Sequence, residues 1–342
     1  MRKKIMIYIL MAVGTLFLLT GCKKNVGTPE DNAVTDESDD KKEDTDQEKK
    51  VFGFCGIDMS NPFYATLKDS VQSALEEQGD KLLIKDPAGD AERQNTQIQE
   101  LIEEDVDAVF LCPVDWKKIE PALDALEEAD IPVINLDTKV YESGKVAAFV
   151  GSDNRNAGYV CGEDLVERKP DGGQVVIVEN LNVNSVCERI TGFEEAVSKG
   201  AFEVVKRIQT GNDVSGLKQQ VAQVLAQNPD LDAIMCGDDQ MAEQVREAIT
   251  EAGQEKVYVY SVDGSPASKK ALVEHTGGMM GIGAQSPINL GKKAVKIAPS
   301  FYLDLIKLLR SFQRNVQSSH LNNEVYLQRA HSHDRYDKYD LQ

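Results

Sequence analysis

The chain has 342 residues and a formal net charge of -19, which allows roughly two domains of about 100 to 200 residues. Such an acidic balance argues against nucleic acid as a partner, because phosphate binding needs clustered Lys and Arg. Six cysteines at irregular spacing give no disulfide framework and no C-x-x-C pair.

In chain order, the opening "MRKKIMIYILMAVGTLFLLTGC" has a basic start, a short apolar run and small residues before Cys22, the pattern of an export signal rather than a membrane span. "LLTGC" resembles a lipoprotein signal box, which implies cleavage after residue 21, lipid on Cys22, and a position outside the cytoplasm. Each buried CH₂ of an acyl chain contributes about 0.8 kcal/mol to such an anchor. Residues 22–50 then hold almost no large apolar side chain, too few to repay ordering, and read as an acidic disordered tether.

From residue 51, short apolar runs alternate with segments of helical period. "VFGFCGI" is strand-like, and "ATLKDSVQSALEEQG" places Leu67, Val71, Ala74 and Leu75 on one helical face before Gly79. "KLLIKD", a helix through Ile98, Leu101 and Ile102, "DAVFLCP", a helix from about Lys118 to Ala129, "IPVINLD" and "VAAFVGSD" complete a first unit. "GQVVIVEN", a helix from about Ser185 to Lys199, "FEVVKRIQ", a helix through Leu217, Val221 and Leu225, and "DAIMCGDD" begin a second. A helix from about Met241 to Ala252, "VYVYSVDG", a short helix near Ala267 to Glu274 and "MMGIGAQ" close it. The fold class is therefore α/β, with two doubly wound parallel-sheet lobes. Ligands of such sheets bind beyond the carboxyl ends of the strands, where Asp58 to Asn61, Pro113 to Asp115, Asp137, Asp238, Asp239, Asp263 and Gln285 fall. Any one of these also serves as a turn former or helix cap, whereas a convergent polar set beside aromatics fits a small polar ligand.

At "SNPFYATLKDSV" the chain resembles the ribose and galactose type of sugar-binding lipoprotein of ABC importers, within the type I periplasmic-binding-protein fold. "PVINLDT", "VGSDNRNAG", "SVCERITGFEEAV", "DDQMAEQVREAI", "VDGSP" and "GAQSPINLG" follow in the same order through residues 51 to about 297. The resemblance implies lobes joined by a multi-strand hinge of three crossings, the first near Gly151 to Asp153 and the second at about Gln285 to Ser286. The N-terminal lobe is then 51–152 plus about 286–325, and the C-terminal lobe 153–285 plus the extreme C-terminus. It implies ligand contacts from Asn61, Phe63, Tyr64, Asp137, Arg189, Asp238, Asp263 and Gln285, with Cys112 and Thr138 as further positions. Three of these depart from the family pattern: Cys112 and Asp238 stand where Asn is common, and Thr138 where the ribose type has Arg.

A sugar's hydroxyls both donate and accept, so carboxylates at Asp137 and Asp263 with a fork of donors at Arg189 match it chemically. Its apolar face can lie on Phe63 and Tyr64, which a helix already served by Leu67, Val71, Ala74 and Leu75 leaves free. The departures add an acceptor and remove a cation, so the ligand is expected to be neutral or to carry an amino group. The expected partners are a sugar or polyol, an ABC permease with its separate ATPase subunit, and the membrane through Cys22, around a monomer without cofactor or metal. No nucleophile, base and acid set or phosphate loop stands out, so no enzyme is expected, and residues 1–50 hold no helix-turn-helix. A receptor that reports its ligand to a membrane kinase or chemoreceptor is the alternative. Residues 299–342 depart from the usual ending of the family and include "HSH", read as a solvated tail.

Overall fold

The computed structural model describes residues 49–298. The signal, Cys22, the tether up to residue 48 and the atypical segment 299–342 lie outside the described residues.

Two five-stranded sheets form, and every strand pairing is parallel. The first contains β1 (Val51–Cys55), β2 (Lys81–Lys85), β3 (Ala108–Leu111), β4 (Val133–Leu136) and β5 (Ala148–Val150), in the order β2-β1-β3-β4-β5. Its helices are α1 (Pro62–Glu76), α2 (Ala91–Glu103) and α3 (Glu120–Glu128). The second sheet contains β6 (Gly173–Glu179), β7 (Phe202–Gln209), β8 (Leu231–Cys236), β9 (Tyr258–Asp263) and β10 (Met279–Ala284), in the order β7-β6-β8-β9-β10. With it go α4 (Asn154–Arg168), α5 (Asn184–Val197), α6 (Leu217–Gln227), α7 (Asp239–Ala252) and α8 (Pro266–Glu274). Both sheets thus run 2-1-3-4-5, and the chain direction of winding reverses between the first and third strand of each. That reversal opens a crevice at the carboxyl ends of the strands.

Period-two alternation sorts the strand residues. Phe52, Phe54 and Phe110 join Leu67 and Val71 of α1 in one core, while Cys55, Val109 and Leu111 join Ile98, Leu101 and Leu123 on the other face. In the second lobe Val175, Ile177 and Met235 pack with Ile190 and Phe193 of α5, and Val176, Val178 and Ile234 pack with Val221 and Val245.

Five helix starts, those of α1, α2, α4, α7 and α8, are set by side chains that satisfy orphan N–H groups. Asn61 accepts from Phe63 N, Asp90 from Glu92 and Arg93 N, Asp153 from Asn156 N, Asp238 from Met241 N and Ser265 from Ser268 N. α7 ends on Gly253 in the left-handed conformation at φ 64, where glycine carries no Cβ penalty.

The chain leaves the first sheet after β5, turns through 151–153, and enters α4, which packs on β9 and β10 of the second. It returns after β10 through 285–286 into the last helix of the described residues, α9 (residues 287–298). α9 lies on α1, where Ser70 Oγ donates to Ile288 O at 2.7 Å and Gly291 permits an approach that a Cβ would cut to 2.7 Å from Ser70. No helix of the described residues is long and apolar enough to cross a membrane.

Candidate functional site between the lobes

A cavity of about 40 Å³ lies where the strand ends of the two sheets face each other. The first lobe contributes Ile57, Asp58, Asn61, Phe63 and Tyr64, all from the β1–α1 passage. The second contributes Asn180, Val183, Ser185, Val186 and Arg189 from after β6, Gly211, Asn212 and Val214 from after β7, Asp238, Gln240 and Met241 from after β8, and Asp263 at the end of β9. The lobes meet around it: Asn212 Nδ2 donates to Gly89 O at 2.9 Å, Trp116 N to Asn182 O at 3.0 Å, and Ser185 N to Thr138 Oγ1 at 3.0 Å. Lys139 and Glu188 add an ion pair at 2.7 Å.

Arg189 is the centre of the polar network, and only 3% of it is exposed. Its Nε donates to Asn154 Oδ1 at 2.9 Å and its Nη1 to Gly237 O at 2.8 Å. Nη2 stands 3.2 Å from Asp263 Oδ1 and 3.9 Å from Asp137 Oδ1. Asp263 Oδ1 also accepts from Gln285 Nε2 at 3.1 Å, and Asp137 Oδ2 accepts from the Tyr64 hydroxyl at 3.2 Å. Two buried oxygens in this network accept no hydrogen bond from the chain, Asp137 Oδ1, whose contact with Arg189 is the longer-range ion pair, and Gln285 Oε1. An unsatisfied buried acceptor costs about 1 to 3 kcal/mol, so a donor supplied there would be favourable.

The packing that places Arg189 depends on two glycines. A Cβ on Gly158 of α4 would lie 1.8 Å from Arg189 O, and one on Gly192 of α5 would lie 1.8 Å from Arg155 O. The helices therefore touch backbone to backbone, and the guanidinium is fixed relative to Asn154 at the start of α4. Asp137 and Asp263 adopt positive φ values of 60 and 117, turning their carboxylates at the strand ends.

Burial shifts the acids in one direction. It raises Asp137 and Asp238 above the ordinary carboxylate range and Asp263 well above it, while the Arg189 charge pulls each back. Burial also raises the Tyr64 hydroxyl and the Cys112 thiol well above their usual values, so both stay protonated.

Among the positions expected from the sequence, Asn61, Phe63, Tyr64, Arg189, Asp238 and Asp263 stand on the cavity wall. Asp137 and Gln285 are drawn into the same network from behind, through Tyr64, Arg189 and Asp263. Cys112 sits in the first lobe's core, and the Thr138 hydroxyl is engaged by Ser185 N. Asn61 and Asp238 double as helix caps, and Phe63 and Tyr64 belong to the core as well as to the wall, with ring centroids 5.3 Å apart in an edge arrangement. Asn154, Asn180, Ser185 and Asn212 were not anticipated. Asn180 directly follows β6, whose last residue is Glu179, so the strand-end rule applied to every strand points to it; Asn212 lies in the loop three residues after β7.

The model of the periplasmic binding protein domain matches residues 52–300. The chain belongs to the periplasmic binding protein family. Among its relatives, the ribose import binding protein of Bacillus subtilis (strain 168) is 27% identical over 285 residues, 83% of this chain and 89% of that protein. The D-allose-binding periplasmic protein of Escherichia coli (strain K12) is 28% identical over 251 residues, 70% of this chain and 80% of that one. A solved ABC transporter solute binding protein from Mycobacterium smegmatis, with bound glycerol, superposes with a TM-score of 0.67 at 28% identity, covering 74% of this chain and 88% of that one. The doubly wound pair of lobes read from the sequence is the fold of this family. Among the described residues no cluster of His, Cys, Asp and Glu is placed to hold a metal, and Cys55, Cys112, Cys161, Cys187 and Cys236 are free thiols.

Proposed function

We propose that this periplasmic binding protein is an extracytoplasmic lipoprotein that captures a small polyhydroxylated ligand, a monosaccharide, between its lobes and delivers it to an ABC permease. The observation that carries the reading is the network of Tyr64, Asp137, Arg189, Asp263 and Gln285, which joins both lobes at one buried cavity and leaves acceptor oxygens unpartnered. Asn61, Phe63, Tyr64, Asp137, Arg189, Asp238, Asp263 and Gln285 are the proposed contacts; Cys112 and Thr138 support them from behind. The names of the ribose and allose relatives support a sugar as ligand.

The reading is one of binding without catalysis, in a monomer. Ligand hydroxyls bridging the lobes stabilise the closed arrangement, and closure forms the surface that a permease reads. The proposed lobes are 51–152 with the helix that follows residue 286, and 153–285, anchored through lipid on Cys22. A thermal-shift screen of the full-length protein in detergent against monosaccharides, polyols and nucleosides tests this. A ligand at one hundred times its Kd stabilises the folded state by about 2.7 kcal/mol, and a monosaccharide is expected to raise the melting point. A rise with nucleosides alone would overturn the sugar assignment.

A further inference from the structure

The helix α5 begins without a cap of its own. Val183 stands at its N-cap position and offers no side-chain acceptor, so the first N–H groups of the helix need partners from elsewhere. Ser185 N finds one on the opposite lobe, donating to Thr138 Oγ1 at 3.0 Å. Thr138 is fully buried, and its backbone is held on both sides: its N donates to Leu136 O at 2.7 Å and its O accepts from Asn135 Nδ2 at 2.8 Å. Its hydroxyl is therefore a fixed point against which the start of α5 is set.

The residue held in this way carries a second, independent signal. Ser185 lies one turn before Arg189 on the same face of α5, and both line the cavity. It is 1% exposed, and its Oγ is a buried polar atom with no hydrogen-bond partner in the chain. Buried hydroxyls are ordinarily bonded. This one stands open on the wall that it shares with Asn61, Tyr64 and Asp263.

We propose that Ser185 Oγ is a ligand contact that exchanges a hydrogen bond with one ligand hydroxyl, and that Thr138 is its positioning residue across the lobes. A serine hydroxyl both donates and accepts, so it pairs with a sugar hydroxyl in either direction, whereas an ionised carboxylate only accepts. Because Thr138 belongs to the first lobe and Ser185 to the second, the contact is complete only with the lobes together. This rests on the sugar-capture reading and adds to it one contact and the residue that aligns it.

Calorimetric titration of the full-length protein in detergent with D-ribose, D-allose, D-glucose, D-galactose and myo-inositol identifies the tightest probe, which is then compared with its monodeoxy forms. Ser185→Ala is expected to weaken that probe about fivefold, the worth of one buried hydrogen bond, without lowering the melting point of the unliganded protein. One monodeoxy form is expected to lose affinity by a like factor for the parent protein and to bind Ser185→Ala as well as the probe does. Thr138→Val keeps the shape and removes the acceptor; it is expected to cost about threefold, to cost nothing further in Ser185→Ala, and to be rescued by Thr138→Ser. Undiminished binding to Ser185→Ala, or a loss matched by a lower unliganded melting point, would overturn the proposal and leave sugar capture standing. So would the absence of any deoxy form whose loss shrinks in Ser185→Ala, or losses at the two positions that simply add. Binding of none of the five probes would remove the proposal together with sugar capture.

Discussion

Arg189 is where stability and the proposed recognition meet. Its guanidinium is buried and answers Asp263 and, at longer range, Asp137, so Arg189→Ala leaves two buried carboxylates without their cation. Breaking a buried pair from one side costs about 3 to 5 kcal/mol, and thermal unfolding of this variant is expected to show a loss of that order. Asp263→Asn keeps an acceptor for Arg189 and Gln285 and removes the charge. It is expected to weaken ligand binding at least about tenfold, about 1.4 kcal/mol, whereas Glu127→Ala, exposed on α3, leaves it unchanged. Equal losses measured by calorimetry would dissolve the site. The same residues give a pH dependence with a definite sign. Asp137 and Asp263 are raised by burial, so between the ordinary carboxylate pKa and the folded values the folded protein holds protons that the unfolded chain has lost. Their contribution to stability is full below the ordinary range and is lost as pH rises through the folded values. A ligand that donates to them selects the ionised form. Binding is therefore expected to release protons, and affinity to fall as pH is lowered into the raised range; proton uptake, read by titration in buffers of different ionisation heat, would refute the assignment.

The elements that carry the site were mostly legible, for reasons that differ along the chain. β1, β3, β4 and β8 read as continuous apolar runs because parallel strands are buried on both faces. α7 was placed from Met241, but it begins at Asp239, since the polar "DD" pair supplies its cap and first turn rather than a loop. Asp238 stands on the cavity wall and is also a helix cap, the second role open to any strand-end Asp. Asn180 and Asn212 fall just after strands β6 and β7, where the strand-end rule points, but their pairing with each other and with Gly89 of the other lobe is a proximity no local pattern encodes. The α4–α5 contact was equally hidden: "NAGYVCG" and "ITGF" show glycines, but not that their backbones touch. Gly158→Ala pushes a methyl against Arg189 O and is expected to destabilise the fold by about 1 to 3 kcal/mol, visible in the urea midpoint. A shift within a few tenths of that of an exposed substitution would mean that the helices can separate without cost.

At the scale of the whole molecule, two sheets of identical strand order face each other across 151–153 and 285–286, the described passages between them. That architecture was readable from the doubled rhythm of strands and helices; the extent to which the lobes approach was not, because closure is a tertiary event set by contacts between distant segments. The bonds from Asn212 to Gly89 and from Trp116 to Asn182 join the two lobes, and the proposed hinge opening would have to break them. Small-angle scattering is expected to show a smaller radius of gyration with saturating ligand than without. An unchanged radius would remove hinge closure from the mechanism.

The pair of bonds at the mouth has a kinetic meaning. Asn212 holds Gly89 O with one amide hydrogen while its own carbonyl takes the Asn180 amide, so the rim is tied to the floor behind it through a single side chain. Under the proposed hinge closure, escape of a ligand has to break these bonds together with those of Trp116 to Asn182 and Ser185 to Thr138, whereas entry into separated lobes does not. The rim bonds would then act on residence time rather than on the rate of arrival, and a permease that draws Gly89 away from Asn212 would favour release at the membrane.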